Sequence, residues 1–264
     1  MDRPNRMKLQ SADGAQLNLD ALYQIAPSCF TEVAAPGTGG VKRVINFDVL
    51  RQLLGDNAVE DAPEAYEFNW VGKQAARAEV LEPIKKTLRP VKEDSVDWDN
   101  TQNLYIEGDN LKVLKLLQKS YLGKVKMIYI DPPYNTGNDF VYHDDFAMSA
   151  DEYAEASGSV DELGNKYIKN MDSNGRFHSD WCSMIYSRLM VARSLLKEDG
   201  VIFISIDDNE NYNLRKICDE IFGSSNFIAE IVWERAYAPI NMVKHFSKSH
   251  DYILCYAKDI NKPV

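Results

Sequence analysis

The chain has 264 residues, 45% of them apolar and 27% charged, with a formal net charge of −10. That length can bury a core as one large domain or two unequal ones, and the acidic balance argues against a protein that coats a polyanion by bulk attraction. No apolar run reaches the roughly 20 residues that a membrane-spanning helix requires, and the polar start Met1-Asp-Arg-Pro-Asn-Arg6 does not read as a secretory leader. Four cysteines (Cys29, Cys182, Cys218, Cys255) and four histidines are scattered without metal-ligand spacing, so no metal site is expected and free thiols in a reducing cytoplasm are.

Taken in order, residues 1–35 read as helical, with Leu17, Leu19, Leu22 and Ile25 as an apolar stripe. Pro36-Gly-Thr-Gly-Gly40 is a loop, and Val44 begins a strand that runs into a helix ending before Gly55. An aromatic stretch through Trp70 leads into a helix over Gln74 to Glu82. Lys73 follows Gly72, but the glycine-rich loop of a phosphate site is missing. With no catalytic constellation in view, residues 1–98 are expected to form a mainly helical accessory or assembly domain, and the polar stretch Pro90 to Asn100 a linker.

An α/β signal then begins. Leu104-Tyr-Ile106 is expected as a short strand, Gly108 as a turn, and Asp109 or Asn110 as the cap of a helix ended by Gly123. Lys126 to Ile130 is the next strand, and Pro132 and Pro133 must stop it because neither can donate to a ladder. Asp131 therefore arrives at the carboxyl edge of a sheet, where open α/β folds bind their ligands. A parallel β-α-β unit would put Asp109 at that same edge. Tyr134 comes next on a stiff Pro-Pro segment, with Asn135 and Asn138 as candidate polar contacts. A carboxylate, rigid carbonyls and an aromatic face suit a planar base bearing an exocyclic amine, although a packed tyrosine after a Pro-Pro turn has the same sequence.

Residues 135–176 are polar and rich in acids, the composition of a lid or binding loop. Phe177 to Lys197 reads as a long amphipathic helix containing Trp181. Val201 to Ile206 reads as a buried strand, and Asp207 and Asp208 beyond it as caps for a helix over Glu210 to Phe222. Strands are expected at Ile228–Trp233 and Tyr252–Tyr256.

Asp131-Pro-Pro-Tyr134 resembles the motif of amino-group DNA methyltransferases. Together with Tyr66-Glu-Phe, Trp70-Val-Gly-Lys73, Asn103 to Asn110, Ile130 to Phe140, Val201 to Asp208 and His250 to Tyr256, it resembles the modification subunit of type III restriction–modification systems over roughly residues 40–258. The resemblance implies an α/β fold with a Rossmann-like methyltransferase sheet, S-adenosylmethionine as cofactor and the N6 of a flipped-out adenine in double-stranded DNA as target. It implies that Asp131 and the Pro132 carbonyl accept from the amine, with Pro133 stiffening the turn and Tyr134 stacking on the base. Asp109, Asn110 and the Trp181 helix would border the cofactor. It also implies self-association as a homodimer and a restriction subunit as partner.

In that family a glycine-rich Phe-x-Gly-x-Gly turn comes after the target-recognition region, and no Gly-x-Gly occurs after Asp131 here. The chain is therefore expected to be the N-terminal part of a longer enzyme, with an incomplete sheet and little or no transfer activity alone. A non-catalytic assembly module that keeps the fold is the alternative reading. Methylation of cytosine N4 or of a protein amide is disfavoured by Asp131, since those relatives carry Asn or Ser there.

Overall fold

The structure is a computed structural model that describes residues 10–34, 41–55, 67–137, 140–142, 159–160, 166–169, 176–235 and 249–262. It divides into two compact units, Asp13–Glu67 and Met1–Ala12 with Phe68–Val264.

In the smaller unit, helix α1 (Gly14–Ile25) is capped by Asp13, whose side chain accepts from the Gln16 amide. Strands β1 (Phe30–Ala34) and β2 (Val41–Ile45) pair antiparallel, and α2 (Phe47–Leu54) is capped by the Asn46 side chain. Among the described residues, the reading of residues 1–35 as helical holds for α1 and the short 3-10 turn Pro27–Cys29 and fails at β1. Thr31 and Val33 favour extended backbone, and Val44 and Lys42 lie opposite as their partners.

The larger unit contains α3 (Lys73–Leu81), α4 (Asn110–Tyr121), β3 (Val125–Ile130), α5 (Phe177–Leu195), β7 (Leu196–Ile206), α6 (Asn211–Cys218), β8 (Phe227–Glu234) and β9 (His250–Ala257). Between β3 and α5, strands β4 (Phe140–Tyr142), β5 (Ser159–Val160) and β6 (Lys166–Lys169) form a small antiparallel sheet in the order β4-β6-β5. The main sheet runs β3-β7-β9-β8; β3 is parallel to β7, and β9 is antiparallel to both its neighbours. This is an α/β architecture with a mixed sheet.

The core is built from α5, β7, α6 and β9. Trp181, Leu189, Ile202, Ile204, Ile206, Leu214, Ile217, Leu254 and Tyr256 are all fully buried. Helix α5 is not amphipathic as expected: Trp181 to Leu189 is buried without a break, because α3, α4 and α6 all pack on it. Its polar residues are matched accordingly. Ser183 accepts from the Trp70 indole at 3.0 Å, and Arg188 donates to the Asn110 side chain at 2.6 Å and to the Met184 carbonyl at 2.9 Å.

Three further expectations are corrected. Leu104–Ile106 forms no strand, and Leu104 and Tyr105 are 69% and 91% exposed. A strand needs a ladder partner, and the order of the main sheet ends at β3 with none beside it among the described residues. Asp199 and Gly200 lie inside β7 rather than ending the preceding helix. At Gly200 an added Cβ would come within 2.9 Å of the Lys197 carbonyl and 3.1 Å of the Val125 carbonyl, so this glycine permits close backbone approach. Residues 68–98 belong with the larger unit instead of with a domain ending at residue 98. They are held there by Trp70, by Lys73 paired with Glu220 at 2.8 Å and by Arg77 bonded to Tyr186 and Glu220.

Candidate active site

Strand β3 ends at Ile130, paired with Ile204 of β7, and Asp131 stands exposed at the carboxyl edge just beyond. Pro132 and Pro133 are half-buried. Tyr134 is half-buried and packs on the core. One residue before each strand's end, Tyr129 and Ser205 share a hydrogen bond of 2.6 Å between their hydroxyls. The expected arrangement of carboxylate, two prolines and an aromatic ring is thus present.

The phenol of Tyr134 is pushed up to about 12. Burial is the largest cause, then its hydrogen bond to the Asp131 carboxylate and the negative charge of Asp131 and Asp251; a hydrogen bond with Ser205 works the other way. Tyr134 is therefore a neutral ring and donor at any physiological pH, suited to stacking and unsuited to acting as a base.

The loop is pinned on both sides of Tyr134. The Trp181 indole, fully buried, donates to the Pro133 carbonyl at 2.7 Å. Asn135 is buried and holds the left-handed backbone conformation, φ 59°, which Asn tolerates better than most residues. Its side chain donates to the Glu210 carboxylate at 2.5 Å and to the Phe177 carbonyl at 3.3 Å. Glu210 was expected only at the start of a helix, and nothing in its sequence neighbourhood links it to a loop 75 positions earlier. Asn138, the other candidate contact, lies outside the described residues.

At the second candidate locus, Asp109 caps α4, accepting from the Leu111 amide at 3.0 Å and the Lys112 amide at 3.3 Å. Burial raises its carboxyl, but the Lys112 ammonium at 2.6 Å, the amide bonds and the Arg188 charge outweigh it and hold Asp109 below the usual carboxylate range. The side chain of Asn110 is engaged by Arg188. Trp181 and Arg188, seven residues apart, share one face of α5. Trp181 holds Pro133 and Arg188 holds Asn110, so one helix ties both candidate loci.

The expectation that Asp207 and Asp208 cap the following helix is corrected: α6 begins at Asn211 after Glu210 with no side-chain cap, and both carboxylates bond elsewhere. Asp207 accepts from the Asn209 amide at 2.9 Å, while Asp208 accepts from the Tyr252 hydroxyl at 2.9 Å. Among the described residues no group of three or more His, Cys, Asp or Glu is placed to hold a metal, and no helix is long and apolar enough to cross a membrane. The buried thiols of Cys182 and Cys218 are shifted upward, chiefly by burial, and so stay protonated and unreactive.

A family model described as DNA methylase, covering N6 and N4 methyltransferases, matches residues 125–263. The chain is 44% identical over 218 residues to the Mod subunit of the type III restriction-modification enzyme EcoPI of Escherichia phage P1, covering 81% of this chain and 33% of that protein. It is 38% identical over 246 residues to the StyLTI Mod subunit of Salmonella typhimurium, covering 91% and 37% respectively. The chain spans about a third of the length of these relatives. Among solved structures, the cytosine-N4-specific PvuII DNA methyltransferase overlays with a TM-score of 0.35 at 16% identity, over 59% of this chain and 49% of that one.

Proposed function

This chain belongs to the DNA methylase family, and from that premise we propose that it carries the target-amine half of a methyltransferase that modifies the N6 of adenine in double-stranded DNA. The observation that carries the reading is the pinned Asp131–Asn135 loop, with an exposed carboxylate beside a neutral tyrosine at the edge of the sheet.

The mechanism derives from those positions. Tyr134 stacks on an adenine turned out of the duplex. Asp131 and the Pro132 carbonyl accept the two amine hydrogens, which turns the nitrogen lone pair away from the loop. Pro133 cannot share this role, because its carbonyl is taken by Trp181. When bound, S-adenosylmethionine supplies an electrophilic methyl on a sulfonium centre. Among residues expected to border it, Asp109 fits best: an anionic carboxylate able to accept hydroxyl hydrogens or attract a cationic ligand. Asn110 reaches it only by releasing Arg188, and Trp181 supports the loop from beneath. Asp131 would take the proton that the amine must lose on methylation, and its exposure gives that proton access to water. Positioning, rather than a strong base, supplies the rate. The relatives' description as Mod subunits of type III restriction-modification enzymes supports a restriction subunit as partner; a second copy of the chain and a cytoplasmic setting are part of the same proposal.

The test is the identity of the product. The chain is placed where the matching third of the EcoPI Mod subunit stands, the composite is given DNA and labelled S-adenosylmethionine, and the nucleosides are separated. N6-methyladenine is expected. N4-methylcytosine, or a composite that binds the cofactor and transfers nothing, overturns the reading.

A further inference from the structure

Glu210 is fully buried, yet it is a carboxylate, and a buried carboxylate persists only where donors surround it. Three do. Asn135 Nδ2 approaches Oε1 at 2.5 Å, His178 Nδ1 approaches the same oxygen at 2.6 Å, and Asn213 Nδ2 approaches Oε2 at 2.7 Å. The carboxylate oxygen is the acceptor of these contacts, which makes the one from His178 an Nδ1–H donation. These donors come from three places: the end of the Asp131 loop, the first turn of α5 and the first turn of α6. Asn135 is one of two non-glycine residues with positive φ among those described, and Glu210 receives its side chain.

We infer that Glu210 is a positioning residue for the amine site: through Asn135 it fixes the backbone just after Tyr134, while Trp181 fixes it just before. Tyr134 then has one path between two anchored residues, and its ring and the Asp131 carboxylate are presented together before any base arrives. This inference rests on reading the loop as the amine site. Neither anchor touches the amine. Both act through the loop, and the left-handed turn at Asn135 is the feature that would relax first.

The experiment is amide hydrogen exchange on the full 264-residue chain, read peptide by peptide. Glu210→Gln keeps the size of the side chain but turns one acceptor into a donor facing donors. Exchange at Tyr134 to Gly137 is expected to rise at least about tenfold, with β7 and β9 unchanged. Asn135→Asp alone sets two carboxylates against each other and should loosen the loop likewise. Combining it with Glu210→Gln reverses donor and acceptor between positions 135 and 210, His178 meets the new amide through the tautomer in which Nδ1 accepts, and Asp tolerates the same φ. The double variant should therefore return exchange to near the wild-type rate. Unchanged exchange in Glu210→Gln, a rise spread equally through β7 and β9, or a double variant no slower than Asn135→Asp would overturn the assignment.

The amine reading is separated by Asp131→Ala, whose side chain lies outside the two anchors. It removes the acceptor of the Tyr134 hydroxyl but neither anchor, so exchange at Asn135 to Gly137 should stay as in wild type while transfer in the composite protein is abolished. Protected exchange with no transfer by the wild-type composite would sink the amine reading and leave the anchors standing. Transfer by a loop that exchanges freely would do the reverse.

Discussion

At the scale of single residues, the site combines groups that the sequence displays with groups it hides. Asp131, Pro132, Pro133 and Tyr134 were legible because two prolines force a strand to end and stiffen the chain beyond it. Glu210 was not, because its meaning depends on burial and on a partner 75 positions away. Tyr134 gives the first prediction. Its phenol is raised to about 12 by burial and by Asp131, against an ordinary value near 10. The fold thus holds its proton more tightly than the unfolded chain does, so this stabilisation is complete below about pH 10 and is lost as pH rises toward about 12. Ultraviolet titration of wild type minus Tyr134→Phe should show a tyrosine ionising near about pH 12; one ionising near about 10 would contradict the assigned surroundings. Trp181 gives the second. Trp181→Phe removes the donor to Pro133 and leaves a carbonyl unsatisfied, and should cost about 1–3 kcal/mol in urea unfolding monitored by circular dichroism. No loss of stability would mean that the indole bond does not hold the loop.

At the scale of elements, α5 organises the unit. It joins the sheet, carries Trp181 under the Pro-Pro turn and Arg188 against the start of α4, and receives the segment around Trp70. The sequence showed a helix here with nearly the right ends, but not that its polar positions would be buried, since Ser183, Ser187 and Arg188 look like a solvated face until their partners are known. The strand expected at Leu104–Ile106 failed for a related reason: apolar alternation states a preference, and only a neighbouring strand makes it a ladder. The Trp70 segment supplies the third prediction. Gly72 has φ 101°, and a Cβ there would come within 2.8 Å of the Ser183 hydroxyl. Gly72→Ala should destabilise the protein by about 1–3 kcal/mol, through backbone strain and the crowded Trp70–Ser183 bond. Thermal unfolding indistinguishable from wild type would show that the segment does not dock as described.

At the scale of the whole molecule, the fold class was legible from the alternation of strands and helices, whereas the division of the chain was not. A polar stretch at Pro90–Asn100 looked like a linker, but Lys73, Arg77 and Trp70 before it are bound to the same helices as the residues after it. The small unit Asp13–Glu67 carries a hairpin besides its helices. Under the proposed function, a net charge of −10 leaves any DNA contact to local features rather than to bulk attraction. The account therefore depends on one carboxylate at one sheet edge. The measurement that tests it most directly is the single-turnover rate of methyl transfer to DNA by the composite protein, compared with its Asp131→Ala variant, with S-adenosylmethionine binding measured in parallel. Loss of roughly a hundredfold or more in rate at unchanged cofactor affinity is the predicted result. A variant that keeps its rate would show that the amine is held elsewhere.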